Sequence, residues 1–120
     1  MQYLLLIYSN ETEASKRTPE QEAALIADYR TYTDALKAEG IMLAGEALET
    51  IDSATSVRVR GGQVLHTDGP FAETKEQLGG FFLLECENLD QAIDAAARCP
   101  TSKHGTLEVR PIFDWSKHYA

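Results

Sequence analysis

The sequence predicts an α+β fold of the ferredoxin-like plan, in which an antiparallel sheet carries two helices on one face. The predicted elements follow the order β-α-β, a β-hairpin, and a second β-α-β, which is the arrangement of split β-α-β units. The strands also carry apolar residues at both parities: Leu4, Ile7, Phe81, Phe82 and Leu84. One sheet face is therefore left for a second copy to cover. We expect a homodimer whose two sheets close into a barrel-like core.

Length and composition place the chain among small soluble proteins. Its 120 residues predict a single domain, 1–120, with one core. No apolar run approaches the roughly 20 residues of a membrane helix, and the start lacks the basic region of a signal peptide. We therefore expect a cytoplasmic protein without a membrane partner.

The net charge of −8 argues against nucleic-acid binding. Cys86 and Cys99 form no Cys-x-x-Cys pair and are expected to be reduced packing residues.

The first half of the chain predicts a strand, a helix and a short strand. The apolar run from Gln2 to Tyr8 predicts a strand covered on both faces, and the polar segment from Ser9 to Arg17 predicts a loop. Thr18-Pro19-Glu20-Gln21 starts a helix with a capping box, and Gly40 ends it. Ile41 to Gly45 predicts a short strand. The apolar stripe of the helix is expected to consist of Leu25, Ile26, Tyr29, Tyr32 or Thr33, and Leu36.

The central segments predict a hairpin and a buried strand. Ser56 to Arg60 alternates as a half-exposed strand does, and the chain returns from Gln63 to Thr67. Gly61-Gly62 supplies the two-residue turn between them. Gly79 to Cys86 predicts a further buried strand.

The last third predicts a second helix and a final strand. Asn88 caps the helix, with Gln91 three residues later, and Pro100 ends it. Thr106 to Ile112 is the last strand. The tail from Phe113 to Ala120 either packs across the dimer or over a pocket through its aromatic residues Trp115 and Tyr119, or it frays. The apolar stripe of this helix is expected to be Leu89, Ala92, Ile93, Ala96 and Ala97.

One segment, from Asp68 to Gly80, has a composition that core packing does not require. It combines acids, a lysine, a proline and glycines between two apolar strands. Its Asp-Gly-Pro-Phe start and Gly-Gly end indicate a backbone that bends tightly or is approached closely. The segment is therefore the first place to look for a functional site.

These residues resemble the YCII-related family, in the branch marked by the Asp-Gly-Pro-Phe (DGPF) motif. The resemblance implies a dimeric α+β barrel but no single chemistry, because related barrels include small lyases, isomerases, monooxygenases and proteins with no known reaction. It covers nearly the whole chain and rests on Tyr3-Leu4-Leu5-Leu6-Ile7-Tyr8, Ala44-Gly45-Glu46-Ala47-Leu48, Ser56-Val57-Arg58-Val59-Arg60, Thr67-Asp68-Gly69-Pro70-Phe71-Ala72-Glu73-Thr74-Lys75-Glu76, Leu78-Gly79-Gly80-Phe81, Ala95-Ala96-Ala97-Arg98-Cys99-Pro100 and Leu107-Glu108-Val109-Arg110-Pro111-Ile112.

Two further implications come from the resemblance alone. In another branch, a proposed active site pairs a histidine of the first helix with an aspartate. The predicted helix from Pro19 to Glu39 contains no histidine here, so that mechanism does not transfer. Proteins of the DGPF branch are commonly encoded beside, or fused to, alternative sigma factors, which implies a regulatory protein partner as a second option.

Three residues are candidates for acid–base catalysis. Asp68 either bonds the amides of the turn that follows it or acts as a base at the rim of a cavity. Glu46 follows a strand and either projects into that cavity or is solvated. His66 lies two positions before Asp68, so the two share one face of an extended strand.

Four residues are candidates for substrate binding. Lys75 either belongs to a mutually neutralising cluster with Glu73 and Glu76 or binds an anionic group and stabilises an enolate. Arg58 alternates with valines and either faces solvent or binds a carboxylate. Phe71, within the motif, is the remaining candidate. No histidine or cysteine has metal-ligand spacing, and we expect neither a metal nor a cofactor.

Two functions follow from these residues. The first is a cofactor-independent lyase or isomerase that acts on a small organic acid or aromatic compound. The second is a non-catalytic dimeric module that binds a metabolite or a regulatory protein.

Overall fold

The computed structural model describes residues 1–119, and of Tyr119 only the backbone. It confirms the α+β class, because four strands form an antiparallel sheet in the order β2-β5-β1-β6, which is the ferredoxin-like order. A separate two-stranded sheet pairs β3 with β4. The elements are β1 (Gln2–Ser9), α1 (Glu11–Ala14), α2 (Pro19–Ala38), β2 (Met42–Ala47), β3 (Thr55–Arg60), β4 (Gln63–Asp68), β5 (Gln77–Glu85), α3 (Leu89–Arg98), β6 (Thr106–Pro111) and α4 (Ser116–Tyr119).

The core lies between the helices and one face of the four-stranded sheet. Strand residues alternate between the two faces, and in β1 only Tyr3, Leu5 and Ile7 are buried. Their neighbours Leu4 and Leu6 point to the opposite face and are only partly buried. The core side chains are Tyr3, Leu5, Ile7, Tyr32, Leu36, Ile41, Phe82, Leu84, Cys86, Ala92, Ala95, Ala96 and Cys99.

The face of the sheet away from the helices, which we call the open face, is apolar at its centre. Register brings Phe81 beside Leu6 and Leu83 beside Leu4 on the two central strands. The outer strands bring Glu46 beside Phe81 and Glu108 beside Leu6. Apolar residues of both parities were predicted in these strands, and the structure confirms that arrangement.

The caps of the two long helices are as predicted. Thr18 and Gln21 form the capping box of α2, and Asn88 caps α3 by accepting a hydrogen bond from the amide of Gln91. The predicted stripes are wrong in part. Ile26 is exposed, and in α3 the buried residues are Ala92, Ala95 and Ala96, while Leu89 and Ile93 are half exposed. Small side chains let α3 lie close to the sheet, so its larger residues are left on the outer side.

The segment predicted as a loop from Ser9 to Arg17 contains the short helix α1. Asn10 caps it by accepting a hydrogen bond from the amide of Glu13, and Glu11 and Glu13 occupy its first turn. Acidic residues at a helix N-terminus favour this conformation. The prediction of a loop was wrong because a polar composition alone does not distinguish a loop from a short, capped helix.

Several strand boundaries differ from the predictions. Strand β2 begins at Met42 because the amide of Ile41 still donates a hydrogen bond to the carbonyl of Leu36 at the helix end. The strand continues to Ala47. Strand β5 begins at Gln77 and ends at Glu85. The hairpin is confirmed, with positive φ angles at Gly61 and Gly62 in the turn.

The β3–β4 hairpin, which we call the arm, stands away from the rest of the molecule. The radius of gyration is 16.7 Å and the principal extents are 50, 48 and 18 Å. A compact domain of this length has a radius of about 14 Å. The four-stranded sheet and its helices thus form a thin body from which the arm projects.

The tail contains an aromatic cluster. The rings of Phe113 and His118 stack with centroids 4.6 Å apart, and Trp115 meets Phe113 edge-on at 4.8 Å. The parts of the tail prediction that concern the Tyr119 side chain and Ala120 fall outside the described residues.

Candidate functional site

A largely apolar cleft of about 590 Å³ opens under the loop that carries the Asp-Gly-Pro-Phe motif. Pro70, Phe71, Ala72 and Thr74 of the loop form one side. The cleft is closed by residues from the end of β1, the β2–β3 connection, the base of the arm and the start of β5: Tyr8, Leu48, Glu49, Thr50, Ile51, Ser53, Ala54, Thr55, Ser56, Gln77 and Leu78.

Two hydrogen bonds of Gly69, one with the backbone and one with a side chain, fix the motif loop to the base of the arm. The amide of Gly69 donates to the carbonyl of Ala54 at 2.6 Å, and the hydroxyl of Ser56 donates to the carbonyl of Gly69 at 2.8 Å. Gly69 has a φ of 99°, which favours glycine. The glycine of the motif is therefore explained by the backbone conformation that this attachment requires.

The short helix α1 supports the other side of the cleft. The carboxylate of Glu11 accepts a hydrogen bond from the amide of Ile51 at 3.1 and 3.2 Å, and the amide of Glu11 donates to Gln77 Oε1 at 2.9 Å. The Asn10 side chain donates to the carbonyl of Lys75 at 3.0 Å. Sequence reasoning missed this support, although Asn10 followed by two acids was a detectable helix-start signal.

Asp68 and His66 lie on one face of β4, as predicted, and both side chains are exposed. Asp68 is paired with Thr55 and precedes the glycine bound to Ala54. Within residues 1–119 its carboxylate accepts no hydrogen bond, so the expected bonds to the following amides are not formed. Asp68 is therefore a solvated carboxylate that lies outside the cleft lining but next to it, because its strand partner Thr55 lines the cleft.

Glu46 lies on the open face of the sheet and does not line the cleft. Its closest neighbour across the strands is Phe81, and its side chain is exposed. The structure therefore does not bring Glu46 into the lining of one pocket with the motif loop.

Three of the four predicted binding residues are outside the cleft lining, and Phe71 alone of the four lines it. Phe71 is 80% exposed. Lys75 makes no ion pair with Glu73 or Glu76 in the part of the chain that the structure describes. Glu76 instead accepts a hydrogen bond from the hydroxyl of Thr106 at 2.7 Å. Arg58 lies on the arm opposite Leu65.

Two ionisable side chains line the cleft, Tyr8 and Glu49. Neither was a candidate from the sequence, because only the fold brings the end of β1 next to the β2–β3 connection. A phenol and a carboxylate in a largely apolar cleft can orient a polar ligand and move a proton. With Asp68 next to the cleft, these are the groups available for chemistry.

A second, larger groove of about 910 Å³ runs along α2. Its arginines are already paired: Arg98 binds Glu39 through two contacts of 2.8 Å, and Arg17 meets Glu22 at 3.4 Å. Behind the groove, burial raises the pKa of the Cys99 thiol, which favours the unreactive protonated form. The motif cleft is the better candidate for a ligand site.

Within residues 1–119, no three His, Cys, Asp or Glu side chains are grouped as a metal site would require. No helix in that range is long and apolar enough to cross a membrane.

Comparison with known proteins places the chain in a family. The YCII-related domain matches residues 1–116. The chain belongs to the YCII-related family. An uncharacterised protein from Rhizobium meliloti (strain 1021) is 35% identical over 118 aligned residues, and the match covers 93% of this chain and 92% of that protein.

A solved structure shows the same fold as this YCII-related chain. It is a 5-chloro-2-hydroxyhydroquinone dehydrochlorinase from Burkholderia phenoliruptrix AC1100 in complex with 2,5-dihydroxybenzoquinone. The two align with a TM-score of 0.50 over 98% of each chain, at 18% identity. This likeness confirms the fold class predicted from the sequence.

Proposed function

We propose that this YCII-related protein is a homodimeric, cofactor-independent enzyme, a lyase or isomerase that acts on a small aromatic compound or organic acid. The motif cleft is the substrate site. The observation that carries the proposal is the cleft of about 590 Å³ directly under the Asp-Gly-Pro-Phe loop.

The size and lining of the cleft support a single-ring ligand. Small-molecule sites typically measure about 300–1,000 Å³ and are mostly apolar, with a few polar groups that fix orientation. Here Leu48, Ile51 and Leu78 supply apolar contact, while Tyr8 and Glu49 supply polar groups. The structural neighbour's complex with a dihydroxybenzoquinone supports a compound of similar size.

The proposed chemistry is a proton transfer. A carboxylate, Asp68 beside the cleft or Glu49 in its lining, takes a proton from the carbon next to a carbonyl group of the substrate. The electron pair of the broken C–H bond forms a C=C bond, and the carbonyl oxygen becomes the oxyanion of an enolate. Lys75, which has no ionic partner within residues 1–119, stabilises the oxyanion that forms. In this proposal Glu46 has no contact with the substrate, because it lies on the open face of the sheet. His66 has none either, because it pairs with Val57 and so lies farther out along the arm than Asp68, which pairs with the cleft residue Thr55.

The proposed dimer buries the open face. Leu4, Leu6, Phe81 and Leu83 make its centre apolar, and an uncovered apolar sheet face of this kind is typical of an association surface. Two copies related by a twofold axis would cover one another's central strands.

The function is tested by ligand-induced stabilisation and turnover with a panel of hydroxybenzoates and trihydroxybenzenes. Melting shifts identify binders, and proton NMR of each binder over time detects conversion. Ala54→Trp, which fills the cleft, should abolish the melting shift. Asp68→Asn and Glu49→Gln are made separately, and the variant that removes the general base should keep binding but slow conversion at least about tenfold, because removing a general base typically costs a factor of 10²–10⁴.

Leu89→Trp on the outer face of α3 is the matched control for Ala54→Trp, and it should leave the melting shift unchanged. Equal shifts in wild type and Ala54→Trp would show that the ligand binds elsewhere. Binding without conversion by the wild type would leave a binding protein and not an enzyme.

We propose as a second candidate a regulatory module of the DGPF branch that binds a sigma factor. The observation that favours it is the arm, whose Val57, Val59 and Val64 are 58–65% exposed on one face. Binding of a sigma factor that survives Asp68→Asn and Lys75→Ala but is lost with Val59→Lys would support this function over the enzyme.

A further inference from the structure

The arm carries charge of the opposite sign to that of the open face. We propose that the arm of each copy docks on the outer strands of the open face of a second copy, where Arg58 and Arg60 meet Glu46 and Glu108. This inference rests on the proposed dimer and names a surface that completes it.

The arm is basic in an acidic chain. The protein carries a net charge of −8, yet the arm, residues 55–68, contains two arginines and a single carboxylate, Asp68, which lies at its base. Arg58 and Arg60 are two residues apart on β3 and therefore share one face of the arm, with Leu65 opposite Arg58. Guanidinium groups of this kind are well suited to bidentate pairing with carboxylates.

Neither arginine has a carboxylate partner within residues 1–119. Arg60 donates from Nη1 to the neighbouring carbonyl of Val59 at 2.9 Å, and the ion pairs of the described residues do not include Arg58 or Arg60. The arm therefore presents two available cations beside an exposed leucine, and Leu65 is 47% exposed.

The open face offers the complementary pattern. One row across the four strands runs from Glu46 through Phe81 and Leu6 to Glu108, so apolar side chains lie between two carboxylates. Adjacent strands are about 4.8 Å apart, which places the two outer strands about 14 Å from each other. Arg110 shares the face two residues from Glu108, so the Glu46 edge is the more acidic one.

The arm is long enough for this contact. Six residues per strand extend about 20 Å, which exceeds the width of the acceptor row. The arm forms a sheet separate from the four-stranded one, and the large radius of gyration of 16.7 Å is consistent with an arm that projects from the body. In a dimer joined by the central strands of the open face, projecting arms would reach the outer strands of the second copy.

Two double variants test the proposal. Arg58→Glu/Arg60→Glu reverses the charge of the arm, and Glu46→Arg/Glu108→Arg reverses the charge of the outer strands of the open face. Each variant alone should self-associate at least tenfold more weakly than wild type, because like charges face one another in both contacts. Mixed in equal amounts, the two variants should form a heterodimer of near wild-type affinity, because both contacts are then complementary. Sedimentation and native mass spectrometry measure these affinities and compositions.

The matched control is Arg30→Glu/Lys37→Glu on α2, which makes the same change in charge as the arm reversal and should leave the dimer intact. A monomeric wild type would overturn both the proposed dimer and the role of the arm. A wild-type dimer that tolerates both reversals, or a mixture without heterodimer, would overturn the role of the arm and leave the proposed dimer standing.

Discussion

At the residue scale, two tyrosines of α2, the buried Tyr32 and the partly buried Tyr29, join this helix to the segment that carries α3. The hydroxyl of Tyr32 donates to the carbonyl of Ala95 at 2.7 Å, and the Tyr29 hydroxyl bonds the Thr101 side chain. The Tyr32 ring also meets Phe82 edge-on, with centroids 5.4 Å apart. These side chains connect the two helical segments where the helices themselves do not pack tightly.

Replacing Tyr32 with Phe tests this connection. The substitution keeps the ring packing but leaves the carbonyl of Ala95 without its donor, so we expect a loss of about 1–2 kcal/mol in the free energy of unfolding. Urea denaturation measures the change. Tyr8→Phe is the control, because the Tyr8 hydroxyl makes no hydrogen bond within residues 1–119. An equal loss in both variants would assign the effect to general packing.

The same two phenols predict a loss of stability at alkaline pH. Burial raises the pKa of Tyr29 and of Tyr32 above the usual 10.0. Above pH 10 the unfolded chain releases these protons while the folded chain retains them, so stability should fall as pH rises. The slope is at most about 1.4 kcal/mol per pH unit for each phenol.

Urea midpoints between pH 9 and 11 measure that slope. Tyr29→Phe/Tyr32→Phe should flatten it, although the buried thiols Cys86 and Cys99 titrate in both proteins. A double variant with the wild-type slope would contradict the assignment to these phenols.

At the element scale, the pairing of β2 with β5 requires one glycine of the Gly-Gly pair. A Cβ atom on Gly80 would lie 2.8 Å from the carbonyl oxygen of Glu46, whereas one on Gly79 would lie 3.9 Å from the carbonyl of Ile7. Only the first distance forces the backbone to move. The sequence predicted close approach at this pair but could not tell which glycine needs it, because that depends on register.

Gly80→Ala and Gly79→Ala form a matched test. We expect Gly80→Ala to cost about 2–3 kcal/mol in the free energy of unfolding, since two strands must separate. Gly79→Ala should change it by less than about 1 kcal/mol. Thermal and urea unfolding of both variants measure the difference, and equal costs would show that β2 and β5 do not pair as described.

The sequence predicted the helices, strands and turns more completely than the residues of the candidate site. Caps at Thr18 and Asn88 and the Gly61-Gly62 turn are local signals, so the sequence contains them. The cleft residues Tyr8, Glu49 and Ile51 meet only through tertiary structure, and no local pattern marks them. The position of Glu46 after a strand and a glycine left open both a cavity residue and a solvated one, because the sheet face of Glu46 depends on its register with Phe81.

At the scale of the whole molecule, the thin body with one helical layer predicts association. Leu6 lies at the centre of the open face, so Leu6→Lys would place a charge in the proposed interface. We expect dimer affinity to fall by at least about 30-fold, equivalent to 2 kcal/mol. Sedimentation equilibrium measures it. Leu89→Lys, on the half-exposed outer side of α3, is the control, and equal weakening by both would locate the interface elsewhere.

The chain leaves the four-stranded sheet for the arm at the end of β2 and returns at the start of β5, and these two strands pair directly through Ala47 and Gly80. A two-residue turn could therefore replace everything between these strands without breaking the four-stranded sheet. The segment between β2 and β5 can thus change in length or in surface residues while the core between the sheet and the helices is retained. The proposed substrate cleft and the proposed subunit contact of the arm would then both belong to one exchangeable segment.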